Sequence, residues 1–226
     1  MELGLKDKIV LVTGASKGIG KAIAEAFAAE GSKVAIVARG AEELQRTARE
    51  ISKGTGTEVM DVTADMSKAE DISSAIAEVV KRFGTIHVLV NNAGGVQAFA
   101  SFNDLTDDDW LAVLNLNLMS AVRSTRAVLP YMQQQKWGRI INISSESGTQ
   151  PDAFMPHYGA SKAAMNNLTK SLSKAYGTDG ILVNTVSPAF IMTPPVCGND
   201  SNGGDGTRRH TAGGASAISC QQSPAH

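Results

Sequence analysis

The sequence predicts an α/β fold: a doubly wound parallel sheet of about six strands with helices on both faces. Three observations predict it. Short, branched, wholly apolar runs recur along the chain, as in strands covered on both faces. Helical segments alternate with these runs, and no two runs meet across a hairpin signal. The first run leads straight into a glycine loop that opens a helix. No repeat or linker interrupts residues 1–195, which therefore read as one domain.

Bulk properties narrow the function. A chain of 226 residues, 42% hydrophobic and 19% charged, is ordinary for a globular domain and can bury a substantial core. A net charge of −1 argues against nucleic acid or an anionic membrane surface as partner. No apolar run reaches the ~20 residues of a membrane span, and the N-terminus lacks the basic-then-apolar order of a signal peptide. Cytoplasmic residence is expected. Both cysteines, Cys197 and Cys220, fall in the final segment, and no His or carboxylate cluster has metal-site spacing, so no metal is expected.

The first strand is Ile9-Val-Leu-Val-Thr13. Gly14-Ala-Ser-Lys-Gly18-Ile-Gly20 follows, then an alanine-rich helix over Lys21–Glu30. Glycines permit a tight turn and close approach of a ligand, and a helix N-terminus presents unpaired N–H groups to phosphate. Between this strand and this helix, the spacing Thr-Gly-x-x-x-Gly-x-Gly reads as a phosphate loop rather than a plain turn. Lys33–Ala38 is the second strand and runs into Arg39. Sites for NAD place an acid here to hold the ribose 2′-hydroxyl. Ala38 and Arg39 stand there instead, with Ser16 and Lys17 in the loop, a set suited to the 2′-phosphate of NADP(H). The plainer alternative makes Arg39 a solvated loop residue.

Ala41 to Lys53 is a charged helix closed by Gly54-Thr-Gly56, and Thr57 to Val62 is the third strand, followed by Ala64-Asp65-Met66. Ser67-Lys-Ala-Glu70 has capping-box order and should open a helix to Phe83, stopped by Gly84. Ile86–Val90 is the fourth strand, with His87 packed or half-exposed. Asn91-Asn-Ala-Gly-Gly95 at its carboxyl end is placed to face a cofactor. Thr106-Asp-Asp-Asp109 puts acids on the first turn of a long helix towards Gln135. Asn117 interrupts its apolar face and needs partners if buried, and Pro130 should kink or end it. Arg139–Ile143 is the fifth strand, with Ser144 and Ser145 after it. A helix over Pro156–Tyr176 should pack through Ala164, Leu168 and Leu172. Ile181–Val186 is the sixth strand and leads to Ser187-Pro188-Ala189.

Tyr158 and Lys162 lie four residues apart in that helix and share one face. An ammonium beside a phenol favours the phenolate and lowers a tyrosine from its reference pKa of about 10. The phenol then becomes a usable proton donor or acceptor near neutral pH. With Ser145 upstream, the three side chains can polarise a carbonyl oxygen and move one proton.

In this order the motifs resemble those of the short-chain dehydrogenases/reductases, over residues 6–193. Thr13-Gly14-x-x-x-Gly18-Ile19-Gly20 is similar to the family's cofactor loop, and Asn91-Asn92-Ala93-Gly94 to the element beside it. Asp65 resembles the carboxylate that contacts the adenine, with the backbone N–H of Met66 helping. Asn117, Ser145, Tyr158 and Lys162 resemble the catalytic tetrad, and a separation of 13 residues from Tyr158 favours Ser145 over Ser144. Pro188, Ala189, Ile191 and Thr193 resemble the segment that holds the nicotinamide carboxamide.

The resemblance implies a Rossmann fold, NADP(H) as cofactor and a small-molecule carbonyl or alcohol as substrate. It implies a homodimer or higher homo-oligomer, paired through the helices around Asn117 and Lys162. Tyr158 would exchange the proton, Lys162 would hold the nicotinamide ribose, Ser145 would bind the carbonyl oxygen, and Asn117 would position a water leading from Lys162 to solvent.

Three departures from the family pattern stand out. Ala189 replaces the usual glycine after Pro188, and Leu182 replaces a common surface cation. Residues 196–226 have neither helix nor strand period, with Val196 and Ile218 their only large aliphatics. They read as an atypical, disordered tail, foreign or out of frame, in place of a seventh strand. A second functional reading follows: an NADP(H)-binding or self-associating module with little turnover, its pocket uncovered.

Overall fold

A computed structural model of the chain describes residues 3–96 and 98–189. Expectations for Ile191, Thr193 and the segment 196–226 lie outside the described residues. Six parallel strands stand in the order β3-β2-β1-β4-β5-β6. They are β1 (Ile9–Thr13), β2 (Lys33–Ala38), β3 (Val59–Thr63), β4 (Val88–Asn91), β5 (Gly138–Ile143) and β6 (Ile181–Val186). The helices between them are α1 (Gly18–Ala29), α2 (Ala41–Thr55), α3 (Ala69–Phe83), α4 (Asp107–Leu114), α5 (Ser120–Gln134) and α6 (Pro156–Tyr176). No helix among the described residues is long and apolar enough to cross a membrane.

Alternation along the strands sorts the core into two layers. Val10, Val12, Val34 and Ile36 pack with Ala24 and Ala28 of α1 and Leu44 and Ile51 of α2. Ile9, Leu11, Ala35 and Val37 point the other way, against Ile72 and Ile76 of α3 and Val128 and Met132 of α5. The chain leaves β1 towards β2 on one side and returns to β4 on the other. Strand order therefore reverses between β1 and β4, where the carboxyl-end loops part and leave a crevice.

Local chemistry accounts for most boundaries. Gly56 and Gly84 close α2 and α3 in the left-handed conformation, each donating its N–H to a carbonyl of the last turn. Thr106 and Asp109 form a reciprocal capping box at the start of α4. His87, just before β4, accepts from Ile9 N at 3.0 Å and packs edge-on against Trp137. Burial holds its imidazole below its ordinary pKa.

Several expectations need correction. Ser67 does not cap α3: its hydroxyl donates to Asp65 Oδ1 at 2.8 Å, and Lys68 occupies the cap position without a side-chain bond. Pro130 does not end its helix, which continues to Gln134. The long helix from Asp107 is interrupted instead by a π-helical turn at Asn115–Met119. In α6 the expected packing residues Ala164, Leu168 and Leu172 are only half-buried. The buried stripe of that helix is largely polar, comprising His157, Ser161, Lys162 and Thr169 with Met165.

That polarity is matched across the sheet. Asn142 of β5 donates to Thr169 Oγ1 at 2.8 Å and accepts from Asn91 of β4 at 2.8 Å. Asn91 also donates to Thr125 of α5, and Thr185 of β6 donates to Thr169. Buried polar groups linked in this way specify how deep a helix sits, because a slip would orphan several at once.

Candidate active site

Glycine geometry builds the floor of the crevice. Gly14 and Gly18 have φ of +66° and +56°, the left-handed region that glycine enters at no steric cost. A Cβ on Gly20 would lie 2.5 Å from Asn92 Nδ2 and closer still to Gly14 O. Asn92 Nδ2 donates to Thr13 O and Gly14 O, both at 2.9 Å, and so ties the β4 loop to the glycine loop. Thr13 Oγ1 accepts from the N–H groups of Asn92 and Ala93. Helix α1 begins inside the loop at Gly18, leaving first-turn N–H groups without helical partners.

Two adjoining cavities, of about 610 and 340 Å³, share Gly14, Lys17, Ala93 and Gly94 and together form one cleft. Ser16, Arg39, Asp65 and Met66 line the larger part. Gly18, Ile19 and Gly20 line the smaller part, with Ser145, Tyr158, Lys162, Pro188 and Ala189 facing them. Asp65 is held by the Ser67 N–H at 2.9 Å and by the Ser67 hydroxyl. The Ser67 backbone bond, above all, keeps its carboxyl below the usual carboxylate range, and the Arg39 charge adds to this.

One predicted position turns away. Asn91 is the last residue of β4, and its side chain is buried in the network with Asn142 and Thr125, so it does not line the cleft. Asn92 takes that place. Glu43 lines the cleft too and was missed; its spacing four residues after Arg39 in an opening helix turn was the available signal.

The chemistry-bearing side chains converge at the other end. Lys162 is 3% exposed. Its Nζ donates to Ile143 O at 2.7 Å and lies 5.6 Å from the centre of the Tyr158 ring. Burial pulls its pKa from the ordinary 10.5 down to about 8. The two serines after β5 divide their tasks. Ser144 is buried and donates to Lys162 O at 3.1 Å, whereas Ser145 lines the cleft and accepts from Ser147 N at 3.2 Å.

Asn117 sits in the π turn, a local distortion that recurs at functional sites. Fully buried, it accepts from Gly95 N at 2.8 Å and donates to Gly95 O at 3.2 Å and to Ser161 Oγ at 3.0 Å. A Cβ on Gly94 would lie 2.8 Å from Asn117 Oδ1 and 3.4 Å from Lys162 Nζ. Both polar atoms therefore converge on the same side of Gly94.

These observations meet independent comparisons with known proteins. The family model described as short chain dehydrogenase matches residues 8–201. The chain belongs to that family. An uncharacterized oxidoreductase of Bacillus subtilis (strain 168) is 40% identical over 196 residues, covering 87% of this chain and 73% of that protein. The crystal structure of L-sorbose reductase from Gluconobacter frateurii, complexed with NADPH and L-sorbose, superposes with a TM-score of 0.83 at 35% identity, covering 86% of this chain and 73% of that one. A NAD+-bound xylitol dehydrogenase gives 0.81 at 33% identity, covering 84% and 73%.

Proposed function

We propose that the chain is an NADP(H)-dependent oxidoreductase acting on a carbonyl/alcohol pair, with Tyr158 as general acid and base. The observation that carries this reading is a single cleft in which a glycine loop opening α1 faces Ser145, Tyr158 and Lys162. The residues fit the cofactor. The α1 N-terminus and the close glycine contacts suit a pyrophosphate. Arg39 and Lys17 suit a 2′-phosphate, and no carboxylate stands at the end of β2 to select its absence. The sorbose reductase relative was solved with NADPH. When bound, the dinucleotide supplies or accepts the hydride.

The chain's own residues handle the proton and the oxygen. Ser145 Oγ accepts from Ser147 N, which leaves its O–H free to donate to a substrate carbonyl oxygen. Tyr158 donates its proton to the alkoxide oxygen in reduction and takes it back in oxidation. The charge left on the phenolate faces the Lys162 ammonium. Lys162 spends one N–H on Ile143 O and keeps two for ribose hydroxyls and a proton relay. Asn117 holds the Gly94–Gly95 wall beside Lys162, where a water bound at this residue would begin that relay.

Replacement Tyr158→Phe tests the reading. NADPH binding, followed by fluorescence titration, should stay within about threefold of wild type, while carbonyl reduction falls by about 10³-fold, within the ~10²–10⁴ that a general acid and base contributes and far beyond the loss of a bystander phenol. A variant retaining a tenth of wild-type activity would overturn it.

A further inference from the structure

Two loops rise from the cleft beside Tyr158. One leaves at Gly95 and runs to α4; the other leaves at Ser145 and returns at Tyr158 itself, and all three residues line the cleft. The loops meet, for Ala100 N donates to Phe154 O at 2.9 Å. Phe154 N donates in turn to Asp152 Oδ1 at 2.8 Å, so the backbone of this residue is held from both sides. Phe102 packs edge-on against Trp110 and Trp110 against His157, with ring centres 6.2 and 6.0 Å apart. The first loop is thereby anchored on the turn of α6 that carries Tyr158.

On this braced frame Phe99 and Phe154 are 76% and 65% exposed. Large aromatic side chains left in water on facing loops mark a binding surface, because an apolar ligand would remove that surface from solvent. Charge narrows the ligand further. The sequence contains no Lys or Arg between Arg82 and Arg123, nor between Arg139 and Lys162, the spans that include these loops. Asp104, Glu146 and Asp152 lie within them. An anionic substrate tail would find no partner on either loop and would meet like charge.

We propose that Phe99 and Phe154 form a specificity lip, and that the substrate is a neutral ketone or secondary alcohol with an aromatic or alkyl substituent. This rests on Tyr158 being the proton donor, since the loop that carries Phe154 returns to the cleft at that residue and is bonded to the loop that carries Phe99. An acidic ketone would find no cation on either loop, and a polyhydroxylated one leaves the two aromatic faces unused.

The experiment compares wild type with Phe99→Ala, Phe154→Ala and the double variant on phenylacetone, its para-carboxylate and acetone, with NADPH oxidation as readout. Dead-end binding of the first two ketones to NADP⁺-loaded protein is measured by calorimetry. Wild type should favour phenylacetone over its carboxylate by at least ~30-fold in kcat/KM. The double variant should lose at least ~10-fold of the phenylacetone-to-acetone ratio, chiefly through KM. Equal use of the carboxylate, or a ratio unmoved by both substitutions, would overturn the lip. Should wild type reduce nothing, calorimetry decides. Binding of phenylacetone that the double variant loses upholds the lip and sinks the catalytic reading; binding indifferent to the phenylalanines sinks the lip.

Discussion

At Lys162 the proposed function and the stability of the fold pull in opposite directions, and Lys162→Met measures both. The residue is 3% exposed, and among the described residues its ammonium donates to Ile143 O. Burial lowers its pKa from 10.5 to about 8. At about 1.4 kcal/mol per pKa unit, the charged form costs the fold about 3 kcal/mol wherever both folded and unfolded states are protonated. The sign follows from proton counts. Below pH 8 both states hold the proton and the full cost applies. Between 8 and 10.5 the unfolded chain holds it and the folded chain does not, so stability rises with pH. Above 10.5 the cost has vanished. From pH 7 to 9.5 the relief amounts to about 2 kcal/mol.

Methionine fills similar volume without charge. Lys162→Met should gain about 2 kcal/mol at pH 7, the 3 kcal/mol reduced by about 1 for the hydrogen bond lost at Ile143 O. Urea unfolding at pH 7 and 9.5, for wild type and variant, reads this as a difference of differences, in which other titrating groups cancel. The variant should lack the 2 kcal/mol rise that wild type shows, while NADPH-dependent reduction falls to background. A variant no more stable at pH 7, with the same pH dependence as wild type, would refute the claim that Lys162 is a buried charge in the free protein.

Other predictions follow from single contacts. Gly20→Ala drives a methyl into Gly14 O and Asn92 Nδ2, so stability should fall by about 1–3 kcal/mol and NADPH affinity by at least ~10²-fold; unchanged affinity by titration would show the loop is not the cofactor floor. Arg39→Asp should lower the NADPH-to-NADH ratio of kcat/KM by at least ~10²-fold, and a ratio within threefold of wild type would remove the case for the 2′-phosphate. Thr169→Val leaves Asn142 Nδ2 without its partner, and denaturant unfolding should show a loss of about 1–3 kcal/mol while the NADPH-to-NADH preference stays put. A shifted preference would mean that the network reaches the cofactor.

Strands and the helix bearing Tyr158 were legible because apolar runs and spacing are local properties. Helix α6 and β6 fall where the sequence places them, at Pro156–Tyr176 and Ile181–Val186. The π turn was not legible. The sequence marks Asn117 as a polar residue on an apolar face, but its backbone partner, Gly95, lies 22 positions away, and no local pattern names that partner or the turn type. The polar stripe of α6 escaped for a related reason. An aliphatic reading of the helix selects Ala164, Leu168 and Leu172, whereas Thr169 is buried because Asn142 and Thr185 are there to receive it. A fourth strand that ends at Val90 gives Asn91 to the cleft. Extending β4 to Asn91 gives that side chain to the core and the next one to the cleft, as the two-residue period of a strand requires.

The departures from local rules are concentrated where the chemistry is proposed. A π turn, a buried ammonium and a helix with a polar core face would each be unfavourable alone, and sequences tolerate such conflicts mainly at functional sites. They are not independent here. Asn117 bonds Gly95 from within the π turn, and it bonds Ser161 on the polar face of α6. On the same helix Lys162 bonds Ile143 O and Thr169, two turns along, meets Asn142, so both ends of this face are tied to β5. Replacing Asn117 or Thr169 with an apolar residue would leave Gly95 N or Asn142 Nδ2 without that partner, at about 1–3 kcal/mol for each buried group left unpaired. Lys162 differs from these positions in carrying a buried charge whose side-chain bond goes to a backbone carbonyl, so Lys162→Met releases stability that the other replacements do not.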